Sequence, residues 1–126
     1  INDSFLIHFS TDYVYDGRKD SPYKETHETY PLNIYGKSKL DGEKKIQESM
    51  NRFYILRTSW VVSYYGKNYI KTILKLIKNK KPLNIVKDQF GVPTSTSFLG
   101  EITYEIIKNI KFLLNIGHDQ VPQNPI

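Results

Sequence analysis

The sequence contains no cysteine, which excludes disulfide bonds and thiolate metal ligands within these 126 residues. A chain without cysteine suits a reducing compartment, and we expect a cytoplasmic location. No apolar run approaches the roughly 20 residues that a membrane-spanning helix needs, and no basic segment precedes an apolar one at the start of the chain. We therefore expect no membrane partner and no signal peptide.

Arginine is scarce as well, because only three of the 18 lysines and arginines are arginine. The lysines that produce the net charge of +5 are spread along the chain, whereas nucleic-acid-binding surfaces concentrate their basic residues. We interpret the charge as a solvated surface and expect no nucleic-acid partner. The three histidines, His8, His27 and His118, have no metal-ligand spacing, so we expect no metal site.

Strand-like and helix-like patterns alternate along the chain, which implies a parallel sheet with crossover helices and hence an α/β fold. Gly42, inside the first predicted helix, is interpreted as a point of close packing. The predicted order is a strand at 5–9, a loop at 13–30, a helix at 32–49 with Pro31 suited to its first turn, a strand at 53–57, a helix at 68–79, a short strand at 83–86, a loop at 88–94 and a helix capped by Ser97.

Polar residues end the first predicted strand, since Ser10, Thr11 and Asp12 follow its apolar run directly. Ligands of open parallel sheets bind at the carboxyl ends of the strands. The two hydroxyls and the carboxylate are therefore candidate site residues. His8 lies inside the strand and is interpreted as structural rather than catalytic.

A tyrosine and a lysine four residues apart, Tyr35 and Lys39, lie in the first predicted helix. This spacing puts both side chains on one helix face, about one turn apart. The ammonium favours the phenolate, so the pair is a candidate proton donor; an ordinary exposed helix pair is the alternative. The same spacing recurs at Tyr15 and Lys19 and at Tyr104 and Lys108. Only the pair at 35 and 39 follows a strand end that carries hydroxyls.

Several motifs occur in a fixed order over residues 4–112. They are Ser10-Thr11-Asp12-Tyr13-Val14-Tyr15-Asp16-Gly17, Tyr23-x-Glu25, Pro31-Leu32-Asn33-x-Tyr35-Gly36-x-Ser38-Lys39-Leu40-x-Gly42-Glu43, Leu56-Arg57-Thr58-Ser59-Trp60-Val61, Gly66-Lys67-Asn68-Tyr69 and Asp88-Gln89-x-Gly91-x-Pro93-Thr94. This set resembles the dTDP-4-dehydrorhamnose reductases of the extended short-chain dehydrogenase/reductase superfamily. An ordered set of motifs is far more specific than the tyrosine–lysine spacing alone.

The resemblance implies NADPH-dependent reduction of a dTDP-linked 4-keto-6-deoxy sugar in dTDP-L-rhamnose biosynthesis, with NADH as an alternative cofactor. It implies that Tyr35 protonates the carbonyl oxygen, and that Tyr35 and Lys39 contact the cofactor, with Lys39 on the nicotinamide ribose. Thr11 takes the place of the family residue that hydrogen-bonds the reacting oxygen. Asp12 and Trp60 are the implied substrate-binding residues, and plain core packing is the alternative for Trp60.

The resemblance is incomplete, because the seven glycines never form the G-x-x-G-x-x-G turn that places a pyrophosphate at a helix N-terminus. We therefore expect a partial Rossmann-like, doubly wound parallel sheet that lacks the N-terminal dinucleotide-binding half. Residues 1–116 are predicted to form the catalytic segment and residues 117–126 an irregular tail. A partial sheet exposes apolar surface, so we expect marginal stability or association with copies of the same chain.

Two other functions stay open from the sequence. One is a non-catalytic regulatory relative, such as the regulatory subunit of methionine adenosyltransferase, although Thr11, Tyr35 and Lys39 favour the enzyme. The other is an NDP-sugar epimerase or dehydratase. Those enzymes usually carry a Val-Tyr-Gly pattern after the strand, and the Tyr-Val-Tyr-Asp-Gly run at 13–17 favours the reductase.

Overall fold

The computed structural model describes residues 4–87, 89 and 91–116, with side chains described as far as residue 110. The chain forms two compact units, of which the first ends at Thr58 and the second starts at Ser59. The motif positions Asp88 and Phe90 and the predicted tail at 117–126 lie outside the described residues. The assignment of residues 1–116 to one catalytic segment stays a prediction.

The N-terminal unit is a strand–helix–strand crossover. Its elements are β1 (Leu6–Thr11), a 3-10 turn (Asp12–Val14), α1 (Ile34–Ser49) and β2 (Phe53–Thr58). β1 and β2 pair in parallel, and their carboxyl ends coincide, with Thr11 opposite Thr58. Two parallel strands need a crossover connection, and α1 supplies it. The parallel pairing confirms the predicted α/β class.

α1 begins at Ile34 because Asn33 caps it. The side-chain oxygen of Asn33 accepts a hydrogen bond from the Gly36 N–H at 2.7 Å, which satisfies one of the amide groups that a helix start leaves without a partner. The helix starts two residues later than predicted, and Pro31 precedes it instead of lying in its first turn.

The core of the N-terminal unit is small and partly polar. Val14, in the turn after β1, is fully buried, and Leu40 of α1 is 9% exposed. The buried polar residues are Ser10, Thr11 and Glu43. Burying polar groups costs free energy unless they are hydrogen-bonded. The buried polar residues at the end of β1 are therefore candidates for a functional role.

The C-terminal unit contains a second, smaller parallel pair of strands. Its elements are β3 (Val61–Val62), α2 (Tyr69–Lys78), β4 (Thr94–Ser95) and α3 (Thr96–Ile116). β3 and β4 pair in parallel with Val61 opposite Thr94, and the sequence does not predict these two-residue strands. α2 has the predicted apolar spacing, but none of its residues is buried. No helix among the described residues has the length and hydropathy that crossing a membrane requires.

Three predictions about local structure are wrong. Residues 83–86 form no strand, because a strand needs a hydrogen-bonded neighbour and no described strand pairs with them. Ser97 lies inside α3, and the Ser95 hydroxyl instead accepts the Phe98 N–H at 3.1 Å. Gly42 has no atom within 4 Å of the place where a Cβ would lie, so close packing does not explain this glycine.

Gly36, by contrast, gives α1 its close approach to the turn after β1. A Cβ at Gly36 would lie 2.2 Å from the carbonyl oxygen of Tyr13, far inside van der Waals contact. The obstacle is backbone, which cannot move aside as a flexible side chain can. Only glycine lets the start of α1 lie against this turn.

We expect Gly36→Ala to lower the free energy of unfolding by about 1–3 kcal/mol, since overpacking forces the backbone to shift. Gly42→Ala is the matched control on the same helix. It meets no neighbour, and alanine gains up to about 1 kcal/mol over glycine inside a helix. Urea denaturation measures both changes, and wild-type stability of Gly36→Ala would contradict the close contact.

Candidate active site

The carboxyl end of β1 holds a hydroxyl and a carboxylate in contact. Thr11 is 5% exposed, and its Oγ1 donates a hydrogen bond to Oδ1 of Asp12 at 3.1 Å. The same oxygen accepts the Tyr13 N–H at 3.3 Å. Thr11 therefore caps the 3-10 turn, and these two bonds fix the direction of its hydroxyl. This is the strand end that the sequence predicts as part of the site.

Tyr35 lies beside this turn. Its ring meets the ring of Tyr13 edge to face, with centroids 5.9 Å apart and planes at 76°, an arrangement that aromatic pairs prefer. Tyr35 is 55% exposed, and the neighbouring Gly36 is the residue that lies against the Tyr13 backbone. The structure therefore places the Tyr35 ring beside the 3-10 turn that Thr11 caps, and this ring is accessible to solvent.

Lys39 follows one turn later on the same helix. Its Nζ donates a hydrogen bond to the carbonyl oxygen of Phe9, within β1, at 2.7 Å. An ammonium has three donors, so two stay available for other groups. The hydrogen bond crosses from α1 to β1 and holds the positive charge near the carboxyl end of the strand.

The other two tyrosine–lysine pairs differ from this one. Tyr15 and Lys19 lie in the loop after β1, where helical spacing has no meaning. Tyr104 and Lys108 lie on α3, where Tyr104 is 65% exposed and Lys108 is 3.8 Å from Glu105. Neither pair has a strand end hydrogen-bonded to its lysine among the contacts of the described residues. Tertiary context thus separates Tyr35 and Lys39 from pairs of equal spacing.

Glu43 and Arg57 form an ion pair in which the carboxylate is buried and the Arg57 side chain is 22% exposed, and sequence reasoning did not assign this pair to the site. Glu43 is 1% exposed. Arg57 of β2 donates from Nε to both carboxylate oxygens, at 3.1 and 3.2 Å, and from Nη2 to Oε2 at 2.6 Å. The hydrogen bonds to Glu43 raise the pKa of Arg57. The sequence signal that could have identified Glu43 is its spacing. Glu43 continues the four-residue steps of Tyr35 and Lys39 along one helix face.

The ion pair extends to the loop after the 3-10 turn. Arg57 Nη1 donates to the hydroxyl of Tyr15 at 2.6 Å, and that hydroxyl donates to the Lys24 carbonyl at 3.1 Å. The Tyr15 ring stacks on Tyr23 with centroids 4.3 Å apart, and Tyr23 donates its hydroxyl proton to Asp16 at 2.5 Å. These contacts hold the predicted long loop in place near its start, at Tyr15, and in its middle, at Tyr23 and Lys24.

Two buried polar atoms on β1 lack a hydrogen-bond partner among the described residues, namely Nε2 of His8 and Oγ of Ser10. Burial lowers the pKa of His8 below its usual 6.5; the Lys39 ammonium adds to this shift and the Glu43 carboxylate opposes it. His8 is therefore neutral at pH 7. Its place inside β1 agrees with the interpretation as a structural residue.

Trp60 belongs to the C-terminal unit, where it lines an apolar cleft of about 270 Å³. Its φ of 44° lies in the left-handed region, which is costly for a bulky side chain. A Cβ at Gly91 would lie 2.8 Å from the indole, so Gly91 leaves room for the ring. The Tyr69 ring lies 5.7 Å from that of Trp60. The polar residues Asn84 and Gln89 are among those that line the cleft.

Metal ligands do not cluster in the part of the chain that the structure describes, where no group of three or more histidine, aspartate or glutamate side chains could hold an ion.

Comparison with known proteins supports the family resemblance that the sequence motifs predict. The RmlD substrate binding domain model matches residues 2–115. The chain is 44% identical over 105 residues to the dTDP-4-dehydrorhamnose reductase of Salmonella typhimurium and 46% identical over 105 residues to that of Escherichia coli. Both matches cover 83% of this chain and 35% of the relative. SpsK, a spore coat polysaccharide biosynthesis protein of Bacillus subtilis, is 42% identical over 115 residues, which are 91% of this chain and 41% of that protein.

Two solved structures resemble this one. The dTDP-4-dehydrorhamnose reductase of Bacillus anthracis, in complex with NADP, matches with a TM-score of 0.79 and 39% identity over 83% of this chain and 37% of that chain. The Clostridium acetobutylicum protein matches with a TM-score of 0.79 and 38% identity, over 84% and 38%. These matches confirm the Rossmann-like α/β class and the predicted resemblance. The chain spans little more than a third of the length of these relatives.

We expect stability to depend on the protonation of His8. The unfolded chain binds this proton near pH 6.5 and the folded chain only at lower pH, so the unfolded state holds more protons between the two values. The free energy of unfolding should therefore fall as pH drops from 6.5 through the folded pKa, and His8→Gln should remove that part of the fall. Chemical denaturation at about pH 7.5 and about pH 5 measures this difference. An identical pH dependence in His8→Gln would contradict the burial of His8.

Proposed function

This chain belongs to the RmlD substrate binding domain family, and from that premise we propose that it carries the proton-delivery site of a dTDP-4-dehydrorhamnose reductase. The reaction is the NADPH-dependent reduction of the 4-keto group of a dTDP-linked 6-deoxy sugar. The supporting observation is that a threonine hydroxyl, a phenol-bearing helix start and an ammonium meet the same strand end. The chain spans about a third of its relatives, so the proposal concerns the steps that its own residues perform.

In this proposal, Tyr35 donates its phenolic proton to the carbonyl oxygen as that oxygen gains negative charge. Its exposure of 55% lets a substrate reach the hydroxyl. Lys39, one turn further along α1, stabilises the phenolate that remains. A positioned proton donor of this kind contributes about 10²–10⁴-fold to the rate.

Thr11 and Asp12 act on the substrate side of the same step. The Thr11 hydroxyl has one proton, and Asp12 accepts it at 3.1 Å. A substrate carbonyl oxygen would compete with Asp12 for that proton. Once Thr11 turns to the substrate, the Asp12 carboxylate can accept a hydrogen bond from a sugar hydroxyl. We assign the reacting oxygen to Thr11 and the sugar to Asp12 on this basis.

The residues present fit one end of the cofactor. When bound, NADPH supplies the hydride. Lys39 gives one donor to Phe9 and keeps two for the hydroxyls of the nicotinamide ribose, with Tyr35 one turn away. The sequence offers no glycine-rich turn for the pyrophosphate, so residues of this chain hold the ribose end only. NADH carries the same ribose and stays an alternative.

We assign Trp60 to the sugar pocket. An indole face packs well on a sugar ring, and pockets for small molecules are mostly apolar with a few polar groups. The cleft beside Trp60 has this composition, with Asn84 and Gln89 among its lining residues. The strained backbone at Trp60 supports a functional role over plain core packing. The cytoplasmic location and self-association stay predictions.

We expect Tyr35→Phe to lower kcat by about 10²-fold or more, because the variant keeps the ring and loses the proton. The measurement uses a chimera in which this chain replaces the matching segment of the Salmonella typhimurium reductase, with NADPH oxidation followed by absorbance. Tyr104→Phe is the matched control, since Tyr104 has the same spacing to a lysine and lies on the exposed face of α3. A folded chimera whose turnover is unchanged in Tyr35→Phe would remove Tyr35 from the mechanism.

The isolated chain should bind NADPH weakly, with a dissociation constant well above the micromolar range that a complete site reaches. Without a phosphate-binding turn, it loses the contacts that a helix N-terminus makes to the pyrophosphate. Calorimetric titration of the 126-residue chain with NADPH tests this expectation, with the chimera as the control that has the complete site. Micromolar binding by the monomeric chain would show that another part of it holds the phosphates.

A further inference from the structure

The buried carboxylate of Glu43 fixes the rotation of α1. Glu43 lies four residues after Lys39 and eight after Tyr35, so the three side chains follow one stripe along the helix. At 1% exposure, an ionised carboxylate needs a partner, because an unpaired buried charge is very costly. The partner lies on β2, so Glu43 must point at that strand. Any rotation of α1 about its axis would break this pairing and turn Tyr35 and Lys39 as well.

Arg57 makes the constraint directional. A guanidinium is a planar fork, and it binds both oxygens of a carboxylate in only a narrow range of orientations. Its Nε lies 3.1 and 3.2 Å from the two oxygens of Glu43, and its Nη2 lies 2.6 Å from one of them. Arg57 also sits on β2 directly opposite Ser10, one residue before the end of β1. The fork therefore fixes α1 against the strand ends where the site is built.

Tyr15 brings the loop into the same arrangement. The remaining end of the guanidinium, Nη1, donates to the Tyr15 hydroxyl at 2.6 Å, and the Arg57 head lies 5.0 Å from the centre of the Tyr15 ring. The Tyr15 hydroxyl donates a hydrogen bond to the Lys24 carbonyl, and this carbonyl also accepts the His27 N–H at 3.0 Å. Tyr15 is four residues beyond Thr11. One guanidinium thus holds both the helix that carries Tyr35 and the segment that follows Thr11.

We propose that Glu43, Arg57 and Tyr15 form a positioning group. This group sets the distance and the angle between two parts of the site, namely the face of α1 that carries Tyr35 and the 3-10 turn that Thr11 caps. Its three residues touch neither substrate nor cofactor in this proposal, and they act through Tyr35, Lys39 and the turn. The inference deepens the proposed function and rests on it for its catalytic meaning. Its geometric content can be measured without turnover.

The test reads the Tyr13–Tyr35 ring contact by NMR in the 126-residue chain. The edge-to-face arrangement shifts the Tyr35 ring protons through the ring current of Tyr13, and Tyr13→Leu gives the size of that shift. We expect Glu43→Gln to lose more than half of it, because the neutral amide cannot match the charged fork. Arg57→Lys keeps the charge but not the fork, and it should lose a similar share.

The stability of the loop is measured separately, by the hydrogen-exchange rate of the His27 amide. Tyr15→Phe keeps the stacked ring and removes the hydroxyl that joins Arg57 to the Lys24 carbonyl. We expect exchange to accelerate about tenfold, as one lost hydrogen bond to a charged group implies. In the chimera the same variant should lower kcat and leave KM nearly unchanged, since the effect concerns the alignment of the proton donor.

Two control variants separate positioning from stability. Leu40→Val trims the buried face of α1 and should lower the melting temperature while the Tyr35 shift stays at its wild-type value. Glu48→Gln removes an exposed charge from α1 and should change neither. If Leu40→Val moves the Tyr35 shift as far as Glu43→Gln does, the ion pair is only a structural element and the proposal is overturned.

The proposal is also overturned if the Tyr35 shift and the His27 exchange rate stay at wild-type values in Arg57→Lys and Tyr15→Phe. These milder variants decide the question if Glu43→Gln does not fold. An inactive but folded wild-type chimera would refute the proposed function alone, because the ring contact and the exchange rate do not depend on turnover. A normal Tyr35 effect on kcat combined with unmoved NMR signals would refute the positioning group alone.

Discussion

The N-terminal unit depends on one ion pair whose carboxylate is buried. Glu43 is almost completely inaccessible to solvent, and Arg57 binds its two oxygens from the neighbouring strand. Breaking such a pair by removing one partner typically costs about 3–5 kcal/mol, even though the intact pair adds little net stability compared with apolar residues. The pair therefore acts mainly as a constraint on geometry. In this unit it decides which face of α1 turns toward the strand ends.

The site follows from that constraint and from one glycine. With α1 fixed in rotation, Gly36 lets its first turn lie against the carbonyl of Tyr13, and Tyr35 comes to stand beside the Tyr13 ring. Lys39 then reaches the Phe9 carbonyl on β1. Tyr35 and Lys39 lie on one face of α1, so both side chains are directed toward the end of β1 and the turn that follows it. The proton delivery proposed for Tyr35 rests on this arrangement.

The C-terminal unit shows where sequence patterns mislead. The short apolar-rich segment at 83–86 predicts a strand, yet no strand among the described residues pairs with it, and Ile85 and Val86 are 56% and 60% exposed. Propensity describes what a segment can become when a neighbour is present. The two short strands that do form, β3 and β4, are too short to produce a pattern, and their pairing brings the Trp60 carbonyl within 3.2 Å of the Thr94 N–H.

The sequence by itself determined the order of the main elements, the parallel α/β class and the family, because apolar periodicity and ordered motifs are properties of the chain alone. It also identified Thr11, Tyr35 and Lys39 as candidates. Among the three tyrosine–lysine pairs of equal spacing, the sequence favoured Tyr35 and Lys39 because they follow a strand end that carries hydroxyls. The tertiary structure added the contact of Tyr35 with the turn after β1 and the hydrogen bond of Lys39 to β1, and it decided that Glu43 is buried. Helical spacing gives the face on which a residue lies, but only packing against a second element decides whether that face meets solvent, a strand end or a charged partner.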